Sequence, residues 1–326
     1  MSTAARIDVH QHVVPPIWAE SLASHGGDPT GSAMPHWTPE LAIEFMDSQQ
    51  IATGILSLTL PSVVGWAETE RREMARQVNE YTAGLVVARP ERFGNFATLP
   101  LPDIGGALEE IDYALETIGA DGVTLLANYD GTYLGDPTLE PLWDELDRHQ
   151  AVVFVHPGAP LARPLAGVPS PLVDVLLDTT RAAVQLVLNG TVDRHPNTRI
   201  ILAHAGGFLP YASMRFAELA RVFLPDTPTP EQLMASVKRF YFDTALSSGP
   251  ALPSLQAFAP SGHTLFGSDF PYAPADVAAP FTAAIDADLT AADQAAINHT
   301  NARELFPRLA ELDAAARGDS PSGLVA

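Results

Sequence analysis

The sequence predicts a single (β/α)8 barrel, the TIM-barrel class of α/β fold, on three observations. Eight short apolar, β-branched stretches recur along its 326 residues. Most are followed by a polar turn and then a helical pattern, which is how parallel βα units read in sequence. Five His or Asp residues close four of these stretches, where the catalytic groups of such barrels collect. Neither GxGxxG nor a Walker sequence is present, so the competing doubly wound sheet lacks its phosphate loop.

The strand candidates are RIDVHQHV from Arg6, ATGILSLTL from Ala52, FGNFATLPL from Phe93, GVTLLAN from Gly122, AVVFVHP from Ala151, RIILAHAG from Arg199, RFYFDTAL from Arg239 and HTLFGSDF from His263. Between them, PELAIEFMDSQQ, ETERREMARQVNEYTAGLVVARP and GALEEIDYALETIG have amphipathic helical spacing, the last ending at Gly119, a residue suited to a C-cap. An extended loop carrying Trp18, His25, His36 and Trp37 separates the first strand from a helix starting near Pro39. A Pro-rich segment runs from His156 to a helix near Pro171. Both follow strand C-termini and so belong to the mouth of a barrel. No linker divides the chain, so one domain is expected over residues 1–318, with a flexible C-terminal tail at 319–326.

Composition narrows the function. The formal charge is −21, from 18 Lys and Arg against 39 Asp and Glu, with no basic cluster. That argues against nucleic acid, whose binding needs basic patches to displace counterions. No apolar run approaches the roughly 18 residues of a spanning helix, and the opening MSTAARIDVH has no charged-then-apolar leader, so a soluble cytoplasmic protein is expected. There are no cysteines, which leaves His and carboxylate as the only side chains for a transition-metal site.

His10 and His12 stand two apart on a strand, so both imidazoles point to one face and can grip one ion. His156 ends the fifth strand candidate, His204 the sixth and Asp269 the eighth. Each alone has an ordinary alternative. His156 before Pro157 and His204 before Ala205-Gly206-Gly207 can be turn residues, and Asp269 can cap a helix. Five together at strand ends point to a metal site. His149 and His195 fall near helix C-termini, where a cation suits the macrodipole, and with His263 and His299 they are assigned to structure. His25 and His36 remain candidates for substrate contact. Trp18, Trp37, Phe208, Phe270 and Tyr272 suit a flat apolar ring or ordinary packing, and Trp37 and Phe270 are taken as substrate-binding.

RIDVHQHVVPP, VFVHPGAP, ILAHAGGFLPY and LFGSDFPYAP together resemble the amidohydrolase superfamily over nearly the whole chain. The pairing of HAGG with GSDFP is specific to the branch of aminocarboxymuconate-semialdehyde decarboxylase and related nonoxidative decarboxylases, and within it the group of 6-methylsalicylate decarboxylases. The resemblance implies one divalent metal, usually zinc with manganese as an alternative, held by His10, His12, His156 and Asp269. It implies His204 as general acid/base, with His204 or Asp269 giving the proton, and Arg215 as a contact to substrate carboxylate. GVTLLANYDG has no lysine for a second metal, and the branch suggests a homodimer. The function expected is release of CO2 from a small aromatic acid such as a hydroxybenzoate, or from an enoic acid. A metal-dependent hydrolase of a lactone, amide or ester is the alternative, and an inactive barrel used as a scaffold is the reading from another class. No GxSxG elbow supports a serine hydrolase.

Overall fold

A computed structural model describes residues 6–159, 161 and 165–317. The predicted tail at 319–326 lies outside the described residues.

Eight strands form one parallel sheet: β1 (Arg6–His12), β2 (Ile51–Ser57), β3 (Phe93–Thr98), β4 (Gly122–Leu126), β5 (Val152–His156), β6 (Arg199–Leu202), β7 (Tyr241–Asp243) and β8 (Thr264–Leu265). Each pairs with its sequence neighbour. Closure falls between β1 and the segment after β8. Val9 N–H donates to Phe266 O at 3.0 Å, His12 N–H to Phe270 O at 2.7 Å and Asp269 N–H to His10 O at 2.8 Å. β8 has two residues where the sequence pattern suggested eight. Beyond Leu265 the chain continues alongside β1 in turn geometry, with Asp269 at φ 68°.

The eight principal crossover helices are α1 (Pro39–Ser48), α2 (Glu68–Ala88), α3 (Ile104–Asp112), α4 (Glu140–Arg148), α5 (Asp174–Leu188), α6 (Leu209–Phe223), α7 (Leu252–Phe258) and α8 (Ala275–Asp288). Their starts follow from local chemistry. Thr38 caps α1 by accepting the Leu41 N–H, with Pro39 at the first helical position, where its missing N–H costs no hydrogen bond. Ala42, Phe45 and Met46 then fall on one buried face at helical spacing. α3 ends in a π-turn at Tyr113–Thr117 before Gly119, which adopts φ +64° as a helix terminator would.

Ile7, Val9, Ile55, Phe96, Phe154 and Ile201 of the strands pack with Leu305, Phe306 and Leu309 of the C-terminal helices in one apolar cluster. Fully burying one such side chain contributes about 1.5–3 kcal/mol. β1 shifts register against β2 between Asp8 and Gln11, a bulge of the kind that re-aims side chains at a barrel rim. Among the described residues no helix is long and apolar enough to cross a membrane.

Candidate metal centre

His10, His12, His156, His204 and Asp269 converge at the C-terminal ends of their strands, and all are buried. The Nε2 atoms of His10 and His12 stand 3.1 Å apart. Asp269 Oδ1 lies 3.0 Å from His12 Nε2 and 3.3 Å from His10 Nε2, and Asp269 Oδ2 lies 3.4 Å from His204 Nε2. The His156 ring sits 4.9 Å from that of His12 and 5.3 Å from that of His10, centroid to centroid. His10, His156, His204 and Asp269 each offer a ligand atom within 4.8 Å of the other three. The resemblance put His12 in that set and His204 outside it. His12 nonetheless touches both His10 and Asp269.

The outer ring nitrogens are already used. His10 Nδ1 is 2.8 Å from Asp243 Oδ2, and His12 Nδ1 is 3.1 Å from Ser57 Oγ. His156 Nδ1 lies 3.1 Å from Pro157 O and 3.2 Å from Thr59 Oγ1. With the Nδ1 atoms so engaged, the Nε2 lone pairs of His10 and His12 face each other and a carboxylate. That contact is relieved by a cation between them or by a shared proton, so the donor set fits a divalent metal of the His-binding kind.

The electrostatics agree. Burial pushes the His10 imidazolium down, but the carboxylates of Asp243 and Asp269 outweigh it and hold His10 at about 10, far above its ordinary 6.5. The site therefore has a strong preference for one positive charge. Burial holds His12 below its ordinary value and, with the neighbouring imidazoles, holds His156 well below. Burial alone would raise the Asp269 carboxyl, yet His10 and hydrogen bonds from three imidazoles keep it well below the usual carboxylate range. A metal held here would take the place of the His10 proton and leave a carboxylate beside neutral imidazoles.

Close packing holds this geometry. A Cβ on Gly267 would stand 2.9 Å from His10 Cβ and 3.1 Å from Asp243 Cβ, so the GSDF segment can pass only without a side chain. After β6, His204, Ala205, Gly206 and Gly207 all take positive φ, a tight left-handed turn that aims His204 inward. Gly206-Gly207 leads into a helix, where free backbone N–H groups would be expected to face an anion. They are taken by Ala203 O and His204 O, and the Phe208 N–H by Thr180 Oγ1, because the turn closes on itself.

Sequence reasoning missed Asp243, Asp8, Ser57 and Thr59. Asp243 ends β7 and accepts the His204 and Ala245 N–H groups through its other oxygen. The rule that selected His156 and Asp269 would have selected it in RFYFDTAL. Asp8 ties the segment of His10 and His12 to that of Asp269, accepting from the Gln11 side chain and from the Ser268 N–H and hydroxyl.

A cavity of about 650 Å³ opens above the cluster, with Thr59, His156, His204 and Asp269 among its walls. Tyr272 lines it, its ring edge-on to His12. Trp37 and Phe270, expected on this wall, pack instead in the core behind it, with Phe270 stacked on Phe45 at 4.1 Å. The backbone pairing of Phe270 with β1 turns its ring away from the mouth. Trp18 is likewise core, while Phe208 is partly exposed outside the cavity. Arg215 is exposed on α6 and lines a separate apolar groove against α5, away from the His/Asp cluster. His25 stacks on Trp66 and His36 is exposed, neither lining the cavity.

A closed parallel barrel with His and Asp donors gathered at its C-terminal mouth defines the class of metal-site barrel enzymes. The chain belongs to the amidohydrolase family, which it matches over residues 7–308. It is 41% identical over 324 residues to the decarboxylase yanB of Aspergillus niger, covering 93% of this chain and 88% of that one. It is 41% identical over 315 residues to the 6-methylsalicylic acid decarboxylase of Penicillium expansum, covering 94% and 97%. A crystal structure described as an amidohydrolase II superposes with a TM-score of 0.85 at 33% identity, covering 92% of this chain and 99% of the other.

Proposed function

We propose that this chain is a metal-dependent nonoxidative decarboxylase, a carboxy-lyase that releases CO2 from a small aromatic acid of the hydroxybenzoate kind, with 6-methylsalicylate the first candidate. The observation that carries this reading is the position of the His/Asp cluster at the wall of an apolar, ring-accommodating cavity, in a chain 41% identical to a 6-methylsalicylic acid decarboxylase.

His10, His12, His156 and Asp269 would hold one divalent ion. Three imidazoles with one carboxylate suit zinc, and manganese fits the same donors. Such an ion supplies a Lewis acid that orients the substrate carboxylate and its ortho hydroxyl. Decarboxylation leaves an electron pair on a ring carbon, so a proton must arrive at that carbon. His204 and Asp269, with Nε2 and Oδ2 3.4 Å apart, would hold and deliver it. Asp243 fixes the His10 ring and, through the His204 backbone, the acid/base turn as well.

Support for a homodimer comes from the apolar side chains Tyr211, Met214, Val222 and Phe223, which α6 leaves exposed; size-exclusion chromatography with light scattering tests it. The cytoplasm remains the expected compartment.

The deciding experiment combines metal analysis by mass spectrometry with CO2 release from 6-methylsalicylate. About one metal per chain with CO2 release, both lost in His12→Ala, supports the reading. Metal without CO2 release from any hydroxybenzoate would redirect it to a hydrolase using metal-activated water, and protein that takes up no metal would overturn the site itself.

A further inference from the structure

Resting on that reading, we infer that the cavity takes monocarboxylic hydroxybenzoates bearing an unbranched apolar chain several carbons longer than methyl, with the chain running away from the metal cluster between the apolar walls. Three observations carry this.

The first is size. At about 650 Å³ the cavity lies in the middle of the roughly 300–1,000 Å³ range that accommodates drug-sized ligands. A single ring with a carboxylate, a hydroxyl and a methyl group fills only part of it. The second is the distribution of polarity. The metal-cluster end presents Thr59, His156, His204 and Asp269, whereas the space beyond is bounded by Leu60, Leu172, Val175, Leu176, Leu246 and Phe281. Asp28, Thr30 and Ser32 also stand in the wall, but most of the lining is apolar and rewards apolar surface.

The third is charge. No Lys or Arg stands among the described residues lining the cavity, and the charged side chain away from the cluster is Asp28, occupied with the Thr30 N–H and hydroxyl. A second carboxylate on the substrate would meet that acidic group and apolar wall with no counter-ion among the described lining residues, inside a chain of net charge −21.

The reaction is unchanged. The bond from the ring carbon to the carboxylate breaks, the electron pair stays on that carbon and takes a proton, CO2 leaves, and a 6-alkylsalicylate becomes a 3-alkylphenol.

The test is a chain-length series of 6-methyl-, 6-propyl-, 6-pentyl- and 6-heptylsalicylate, assayed for kcat/KM on the metal-loaded protein. In parallel, calorimetry measures binding of the matching 3-alkylphenols. We expect kcat/KM to rise, and the phenol Kd to fall, by up to about fourfold per added methylene until the chain reaches the rim. In Leu176→Trp, which narrows the apolar end, the ratio of heptyl to methyl kcat/KM collapses. Replacing the alkyl chain with a carboxylate costs at least about a hundredfold, the scale of leaving a buried charge unpaired. Turnover of the methyl compound with a steady fall from propyl onward overturns the inference and leaves the decarboxylase reading standing. Phenol binding that strengthens with chain length while no salicylate loses CO2 overturns the reaction and supports the cavity assignment; phenol affinity independent of chain length overturns the cavity assignment.

Discussion

Asp243 Oδ2 and His10 Nδ1 lie 2.8 Å apart with both side chains fully buried, one at the end of β7 and the other in the first strand. The second oxygen of Asp243 accepts two backbone N–H groups, from His204 and Ala245. One carboxylate therefore sets the tautomer of a candidate ligand and the position of the candidate acid/base. Asn at this position can present an oxygen to only one of these partners and must turn its NH2 toward the other. Asp243→Asn is expected to weaken metal affinity by about 10–100-fold, measured by competition with a chelator, the range seen when such outer partners are removed. Metal affinity equal to the parent would remove Asp243 from the site.

Raising the pH should destabilise the metal-free protein. His10 is held at about 10 against an ordinary 6.5, so its bound proton favours the folded state. That contribution is fully present below about 6.5 and is lost as the pH climbs toward 10. The melting temperature of chelator-treated protein should fall across this window. The metal-loaded protein, in which a divalent ion takes the proton's place, should show a smaller fall. Parallel curves would mean that His10 does not carry the proton in the metal-free state.

His12 and His204 should separate when each is replaced. His12→Ala is expected to lose metal and turnover together. His204→Gln should keep near-stoichiometric metal while kcat drops by about 10²–10⁴-fold, the usual contribution of a positioned proton donor. Loss of metal in the His204 variant with metal retained in the His12 variant would reverse the two roles, in line with the four residues whose ligand atoms lie within 4.8 Å of one another.

Gly267→Ala tests whether packing sets the site. The added methyl would press on His10 Cβ and Asp243 Cβ, and overpacking of this kind costs about 1–3 kcal/mol. The expected signature is a lower melting temperature with weakened metal uptake. A variant indistinguishable from the parent in both would show that the segment after β8 can yield.

Much of this was legible in the chain. Eight βα repeats gave the barrel, because strands buried on both faces read as continuous apolar runs. Strand-terminal His and Asp marked the cluster, because barrel strands deliver their ends to one mouth. What remained hidden depended on where side chains turn. Phe270 follows Asp269 directly, yet its backbone pairs with β1 and its ring stacks on Phe45, an outcome set by three-dimensional register. The free N–H groups expected at Gly206–Gly207 vanished for a related reason: the run of positive φ folds the turn onto its own carbonyls. Asp243 ends its strand as His156 does and was open to the same rule; what stayed hidden is its double contact, to the His10 imidazole and the His204 backbone N–H.

The seam between β1 and the segment after β8 shares its residues with the candidate metal centre: Asp269 donates its backbone N–H to His10 O and sets its carboxylate beside His10 Nε2. On the ribosome, the earliest strand waits with its histidines until residue 269 has cleared the exit tunnel. A chain cut short before that point has neither a closed barrel nor a complete set of donors. An ion that needs the Asp269 carboxylate would therefore be held only once the segment after β8 has met β1.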